Sequence, residues 1–90
     1  MNDSEKRKLM IIIDKLTTEK IENDENFLRY TYFEVMVKNE VKANLEDEFI
    51  RLAKTKLNNM GYWVYLKDQR FVYKDANMLV QPNELLIAIK

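Results

Sequence analysis

The chain of 90 residues contains no histidine and no cysteine, and only one glycine (Gly61) and one proline (Pro82). Histidine is the usual general base near neutral pH, and cysteine the usual strong nucleophile and soft metal ligand. Their absence excludes Ser-His-Asp triads, thiol catalysis, the common zinc sites and haem ligation. A single glycine excludes the glycine-rich phosphate loops, which need several residues able to adopt positive φ. Without cysteine there is no disulfide framework, which fits a reducing compartment. Long apolar runs are missing as well. The run Leu9 to Ile13 is followed at once by Asp14 and Lys15, far short of the roughly 20 residues that span a bilayer. The expectation is a cytoplasmic protein with no membrane partner.

Any catalysis would have to rest on carboxylates, lysine or tyrosine, and no carboxylate pair is singled out by spacing. We therefore expect no enzyme, no catalytic residue and no cofactor. The acidic segments 22–25 and 46–48 lack the alternating oxygen ligands and central glycine of a calcium loop, so no metal site is expected either. They read as solvated helix ends, and the basic run Lys6-Arg7-Lys8 as a solvated helix face.

What is present is ordinary for a folded protein: 47% hydrophobic and 33% charged residues, too apolar for disorder. This is expected to make one domain over residues 1–90. Fifteen basic residues balance fifteen acidic ones, whereas domains that live on phosphate contacts usually show a basic excess. The abundance of Lys, Asn, Ile and Glu resembles that of proteins from AT-rich bacterial or phage genomes.

Residues 3–22 read as a helix, with Leu9, Ile12, Ile13 and Leu16 at i, i+3, i+4 and i+7 and Ile21 extending the stripe. Asn2 or Asp3 can cap it, Asn2 with Glu5 having capping-box spacing. Residues 27–43 admit two readings. The preferred one is a short strand at 27–30, then a helix from about 32 to 41. That helix has Thr31 and Glu34 as a capping box and Phe33, Met36, Val37 and Val41 as its apolar stripe. The alternative is a strand over 28–38, supported by Tyr30, Thr31, Tyr32, Phe33, Val35 and Val37.

Residues 45–59 form the clearest helix. Asn44 is its expected cap, and Glu46, Asp47 and Glu48 suit the positive end of the dipole. Arg51, Lys54 and Lys56 suit the negative end. Leu45, Phe49, Leu52, Ala53 and Leu57 line one face, and Gly61 stands where a left-handed C′ residue belongs. Thereafter the pattern turns to β. Tyr62–Lys67 and Arg70–Lys74 flank Asp68-Gln69, Met78–Gln81 precedes a turn with Pro82 at its second position, and Leu85–Ile89 is apolar throughout. The fold class is α+β: three helices followed by a C-terminal antiparallel hairpin and sheet, against the alternative order α-β-α-β-β-β. The element order resembles that of winged-helix domains.

The hairpin is the candidate surface. Pairing Leu66 with Phe71, Val64 with Tyr73 and Trp63 with Lys74 would place Tyr62, Val64, Leu66, Phe71 and Tyr73 on a core face. Trp63, Tyr65, Lys67, Arg70, Val72 and Lys74 would share the other face. Aromatics interleaved with cations suit a protein interface or stacking on bases; the competing reading is a second small core with Lys and Arg stems over aromatic rings. The expected function is a small non-catalytic binding or regulatory module with a protein partner, using Trp63, Tyr65, Lys67, Arg70 and Lys74. The alternative is a winged-helix-like DNA binder using the 62–74 hairpin as a wing. Glu46, Asp47 and Glu48, at the start of what would be the recognition helix, weigh against major-groove reading. Pairing of an exposed strand edge leaves a homodimer open.

Overall fold

A computed structural model describes residues 2–66 and 83–90. Its elements run α1 (Asp3–Asn23), β1 (Phe27–Thr31), a single π turn (Phe33–Val37), a 3₁₀ turn (Ala43–Leu45), α2 (Glu46–Asn59), β2 (Trp63–Leu66) and β3 (Glu84–Ile89). The class is α+β, with the helices preceding most of a three-stranded antiparallel sheet of order β1-β3-β2. The expected middle helix is reduced to the π turn, and the second strand of the expected 62–74 hairpin lies outside the described residues. No helix among the described residues is long and apolar enough to cross a membrane.

α1 starts where its cap spacing placed it: Asn2 Oδ1 accepts a hydrogen bond from the Glu5 backbone N–H at 2.8 Å. Its buried residues Leu9, Ile12 and Ile13 belong to the expected stripe, and Thr17 joins them. The hydroxyl of Thr17 meets the Tyr30 hydroxyl at 2.8 Å inside the core, so two polar groups on adjacent elements satisfy each other. Burial, opposed by that hydrogen bond and reinforced by the Glu34 carboxylate, pushes the Tyr30 phenol up to about 12.

Residues 27–43 follow the strand half of the strand-then-helix reading, and the strand over 28–38 is ruled out because β1 stops at Thr31. The Thr31–Glu34 capping box is present in both directions: Thr31 N–H donates to Glu34 Oε1 at 2.9 Å, and Glu34 N–H to Thr31 Oγ1 at 3.2 Å. The helix expected to reach 41 does not form beyond one turn. Lys38 N–H bonds Phe33 O, a π spacing, and Glu40 reverses the chain at φ +54°. The wider turn also changes which residues face inward. Val35, Met36 and Val41 are buried, while Phe33 and Val37, expected in the core stripe, lie exposed.

The two helical segments end in the same way. At α2, Tyr62 N–H bonds Leu57 O and Gly61 N–H bonds Asn58 O; at the π turn, Val41 N–H bonds Met36 O and Glu40 N–H bonds Val37 O. Both are Schellman motifs, each with a buried apolar pair (Leu57 and Tyr62, Met36 and Val41) behind it. Gly61, at φ +91°, has open space where a Cβ would stand, so its requirement is conformational and not steric crowding. Glu40 takes the same left-handed role at a cost of about 1–2 kcal/mol.

α2 buries Phe49, Ile50, Leu52, Ala53 and Leu57. Its expected cap is corrected: Asn44 is absorbed into the 3₁₀ turn, and no side chain caps α2. The tightened turn already spends the local backbone groups, Leu45 N–H bonding Lys42 O at 2.9 Å.

β3 is the centre of the sheet. It pairs with β1 from Phe27↔Ile89 to Tyr30↔Leu86 and with β2 from Trp63↔Ile89 to Leu66↔Leu86. Between Tyr30 and Thr31 the register shifts, Thr31 opposing Glu84, so that Leu85 is the extra residue of a bulge. A bulge breaks strict alternation, which lets Leu85 and Leu86 both join the core while Glu84 meets Arg29. α1 and α2 cover the core face, α1 against β1 and α2 against β2 and β3.

Candidate functional site

The sheet's outer face carries the expected aromatic surface in part. Trp63 begins β2 and is 73% exposed. It stands in a cross-strand row with Ile89 and Phe27, both half-buried. The next row is Tyr65, Ile87 and Arg29, of which Ile87 is buried and Tyr65 half-buried. Alternation along β2 therefore works as expected, with Val64 and Leu66 turned to the core. Lys67, Arg70 and Lys74, and the expected strands over 70–74 and 78–81 with Pro82, lie outside the described residues, as do the pairings Leu66–Phe71, Val64–Tyr73 and Trp63–Lys74. The partner of β2 in the described sheet is β3.

Charges border this face in tied pairs. Arg29 donates to Glu84 Oε1 at 2.6 Å. Glu84 is only 1% exposed, and among the described residues its Oε2 has no hydrogen-bond partner; the Arg29 guanidinium compensates the buried carboxylate. At the other end Lys90 sits 5.5 Å from the Tyr62 ring centre, and the Tyr62 hydroxyl donates to the Glu25 carbonyl. Burial, then the nearby Glu25 and Asp24 carboxylates, hold the Tyr62 phenol above its ordinary value. These contacts fasten the end of β3 beneath the Trp63 row.

Two other surface features were not foreseen. An open groove of about 360 Å³ lies between α1 and α2, lined by Met10, Leu52 and Met60 with Arg51 and Lys56 beside them. Both cations are occupied, Arg51 by Glu48 at 2.7 Å and Lys56 by Asp14 at 2.5 Å. The second feature is the π turn, where Tyr32, Phe33 and Val37 are all exposed. A signal for it was present: with Phe33, Val35, Met36 and Val37 nearly consecutive, one short turn cannot bury every apolar side chain.

At the start of α2, the Glu48 carboxylate is held below its usual range by the Arg51 hydrogen bond. Among the described residues no three carboxylates converge as metal ligands. Set against models of protein families, against curated proteins and against solved structures, the chain finds no match in any of the three.

Proposed function

We propose that this chain is a non-catalytic module that binds another protein through the outer face of its sheet, with Trp63 as the anchor. The observation that carries this reading is the 73% exposure of Trp63 in a row with Phe27 and Ile89. A large aromatic surrounded by half-buried apolar neighbours is the composition of an interface hot spot. Its fixed setting supports the same reading, since Ile87 in the next row of that face is buried and the strand ends are tied by Tyr62 and Lys90. The balanced charge of 15 against 15 favours a protein over a polyanion. So does the run of Glu46, Asp47 and Glu48 at the first turn of α2.

The test is affinity capture from cells that express the protein, with Trp63→Ala alongside, followed by titration of any captured protein with the purified chain. The partner is expected to bind at least about tenfold more weakly to Trp63→Ala, the cost of losing a hot spot. A variant that keeps every partner at unchanged affinity overturns the proposal. A mobility shift on random duplex DNA, run from about 50 to 200 mM salt, checks the competing class. Salt-sensitive binding lost when Lys67, Arg70 and Lys74 become Ala would replace the protein-partner reading with a DNA-binding one.

A further inference from the structure

We infer that the open edge of β1 pairs with the β1 edge of a second copy, Phe27 of each facing Arg29 of the other. The ladder to β3 fixes which backbone groups lie on that edge. Lys90 N–H bonds Asn26 O at 3.0 Å, and these two residues continue the register of Phe27↔Ile89 and Leu28↔Ala88. Hydrogen-bonded and non-hydrogen-bonded pairs alternate along an antiparallel ladder. Leu28 and Tyr30 therefore bond β3, while the N–H and C=O groups of Phe27, Arg29 and Thr31 point the other way. Thr31 bears out that direction, because its N–H is taken by Glu34 of the π turn, at 2.9 Å. Phe27 and Arg29 are left offering a donor and an acceptor each, about 7 Å apart. In the order β1-β3-β2 this side of β1 is an outer edge, and among the described residues no strand covers it.

Edge strands are ordinarily blunted by lysine, proline or a bulge. β1 holds no lysine and no proline, and the extra residue of the bulge belongs to β3. Its one charge, Arg29, is bound to Glu84 at 2.6 Å. α1 meets β1 on the core face, where Thr17 bonds Tyr30. What fits such an edge is an extended strand, and β1 of a second copy is one already formed, so little ordering is lost on pairing. The side chains select the register. Centring the pair on Arg29 would set two guanidinium groups directly opposite, which is destabilising, and would bring up Thr31, whose N–H is spent. With the twofold axis at Leu28, Phe27 of each copy exchanges both bonds with Arg29 of the other, and a guanidinium meets a ring. The balance of 15 basic and 15 acidic residues leaves no net charge to hold the copies apart. Such pairing keeps both outer faces on one side. The Trp63–Ile89–Phe27 row of one copy then runs into the Arg29–Ile87–Tyr65 row of the other. The dimer presents two Trp63 anchors on a single surface, each about 10 Å, or two strand spacings, from its own β1.

The test is self-association of the purified full chain, followed by sedimentation and by amide hydrogen exchange from about 1 μM to 1 mM. A monomer–dimer equilibrium is expected, with the Phe27 and Arg29 amides protected in the dimer only and those of Leu28 and Tyr30 in both states. Phe27→Pro removes an outward donor and no bond to β3, a position where edge strands accept proline. It should weaken the dimer at least about tenfold relative to Phe27→Ala, which keeps the N–H. Trp63→Ala should leave the dimer unchanged, which separates this inference from the sheet-face reading. Thermal melts verify that the variants are folded, and the exchange pattern of the parent decides the matter without them. A chain still monomeric at about 1 mM, or a dimer as tight in Phe27→Pro as in Phe27→Ala, overturns the inference. So does protection of the Phe27 and Arg29 amides in the monomer, which would show the edge covered within one chain. Loss of the dimer in Trp63→Ala overturns it in favour of a seam on the sheet face. Assemblies larger than a dimer overturn it as well, because a twofold seam closes on itself.

Discussion

β3 and β2 lie side by side, pair residue for residue from Leu66↔Leu86 to Trp63↔Ile89, and yet live in different surroundings. Residues 84–88 of β3 are all buried, whereas β2 has one exposed and three half-buried residues. A strand with neighbours on both edges and a core beneath it has every apolar position committed to the fold. At the edge of the described sheet, β2 pairs with β3 and turns Val64 and Leu66 to the core, while Trp63 stays exposed. The difference teaches where substitutions should harm folding and where they should harm recognition alone.

The strongest way to break this contrast is to remove the centre. Deleting residues 85–90 should abolish cooperative unfolding in a urea or thermal melt, since it removes the strand to which both edges bond. A truncated chain melting like the parent would show that β3 is not the organiser. Leu86→Ala comes next. Leu86 is fully buried opposite both Tyr30 and Leu66, so a loss of about 3–5 kcal/mol is expected from urea titration.

The edge strand β1 supplies the third test, because one of its residues is as buried as the centre. The Tyr30 phenol titrates near 12 when folded and near 10 when unfolded. As pH rises through that window the unfolded chain gives up the proton first, so stability falls, by on the order of 2–3 kcal/mol in total. Denaturant midpoints measured from pH 9 to about 12 should decline for the wild type. Tyr30→Phe should show a visibly shallower decline. The smallest effect belongs to Trp63→Ala, whose stability should stay within about 0.5 kcal/mol of the parent. A large loss there would mean that Trp63 belongs to the core.

Much of this contrast can be read in the chain itself. An unbroken apolar run over Leu85–Ile89 signals a strand buried on both faces, and alternation at Trp63, Val64, Tyr65 and Leu66 signals a half-exposed one. The caps at Asn2, Thr31 and Gly61 are equally legible, because each rests on contacts a few residues apart. The middle helix was not, since its shortening depends on a glutamate taking a left-handed conformation that glycine normally supplies. Nothing local in Lys38-Asn39-Glu40-Val41 demands that; burial of Val41 against Met36 offsets it. Exposure of Phe33 and Val37 follows from the same reversal and was hidden for the same reason. On the sheet face, Trp63 and Tyr65 follow from period-two patterning, whereas the Arg29–Glu84 pair, 55 residues apart, requires a register that no short-range pattern encodes.

The position of β3 in the strand order also bears on how the protein is made. The centre of the sheet is synthesised after both of its neighbours, so a nascent chain that has emerged as far as Leu66 carries β1 and β2 with nothing between them. Until residues 84–89 leave the ribosome, the inner faces of two future edge strands face solvent, Tyr30 and Leu28 among them. Among the described elements, α1 packs on β1 and α2 on β2, so both are placed to shield them in that interval. The order of the elements thus puts the cover of the core face in place before the strand that completes the sheet.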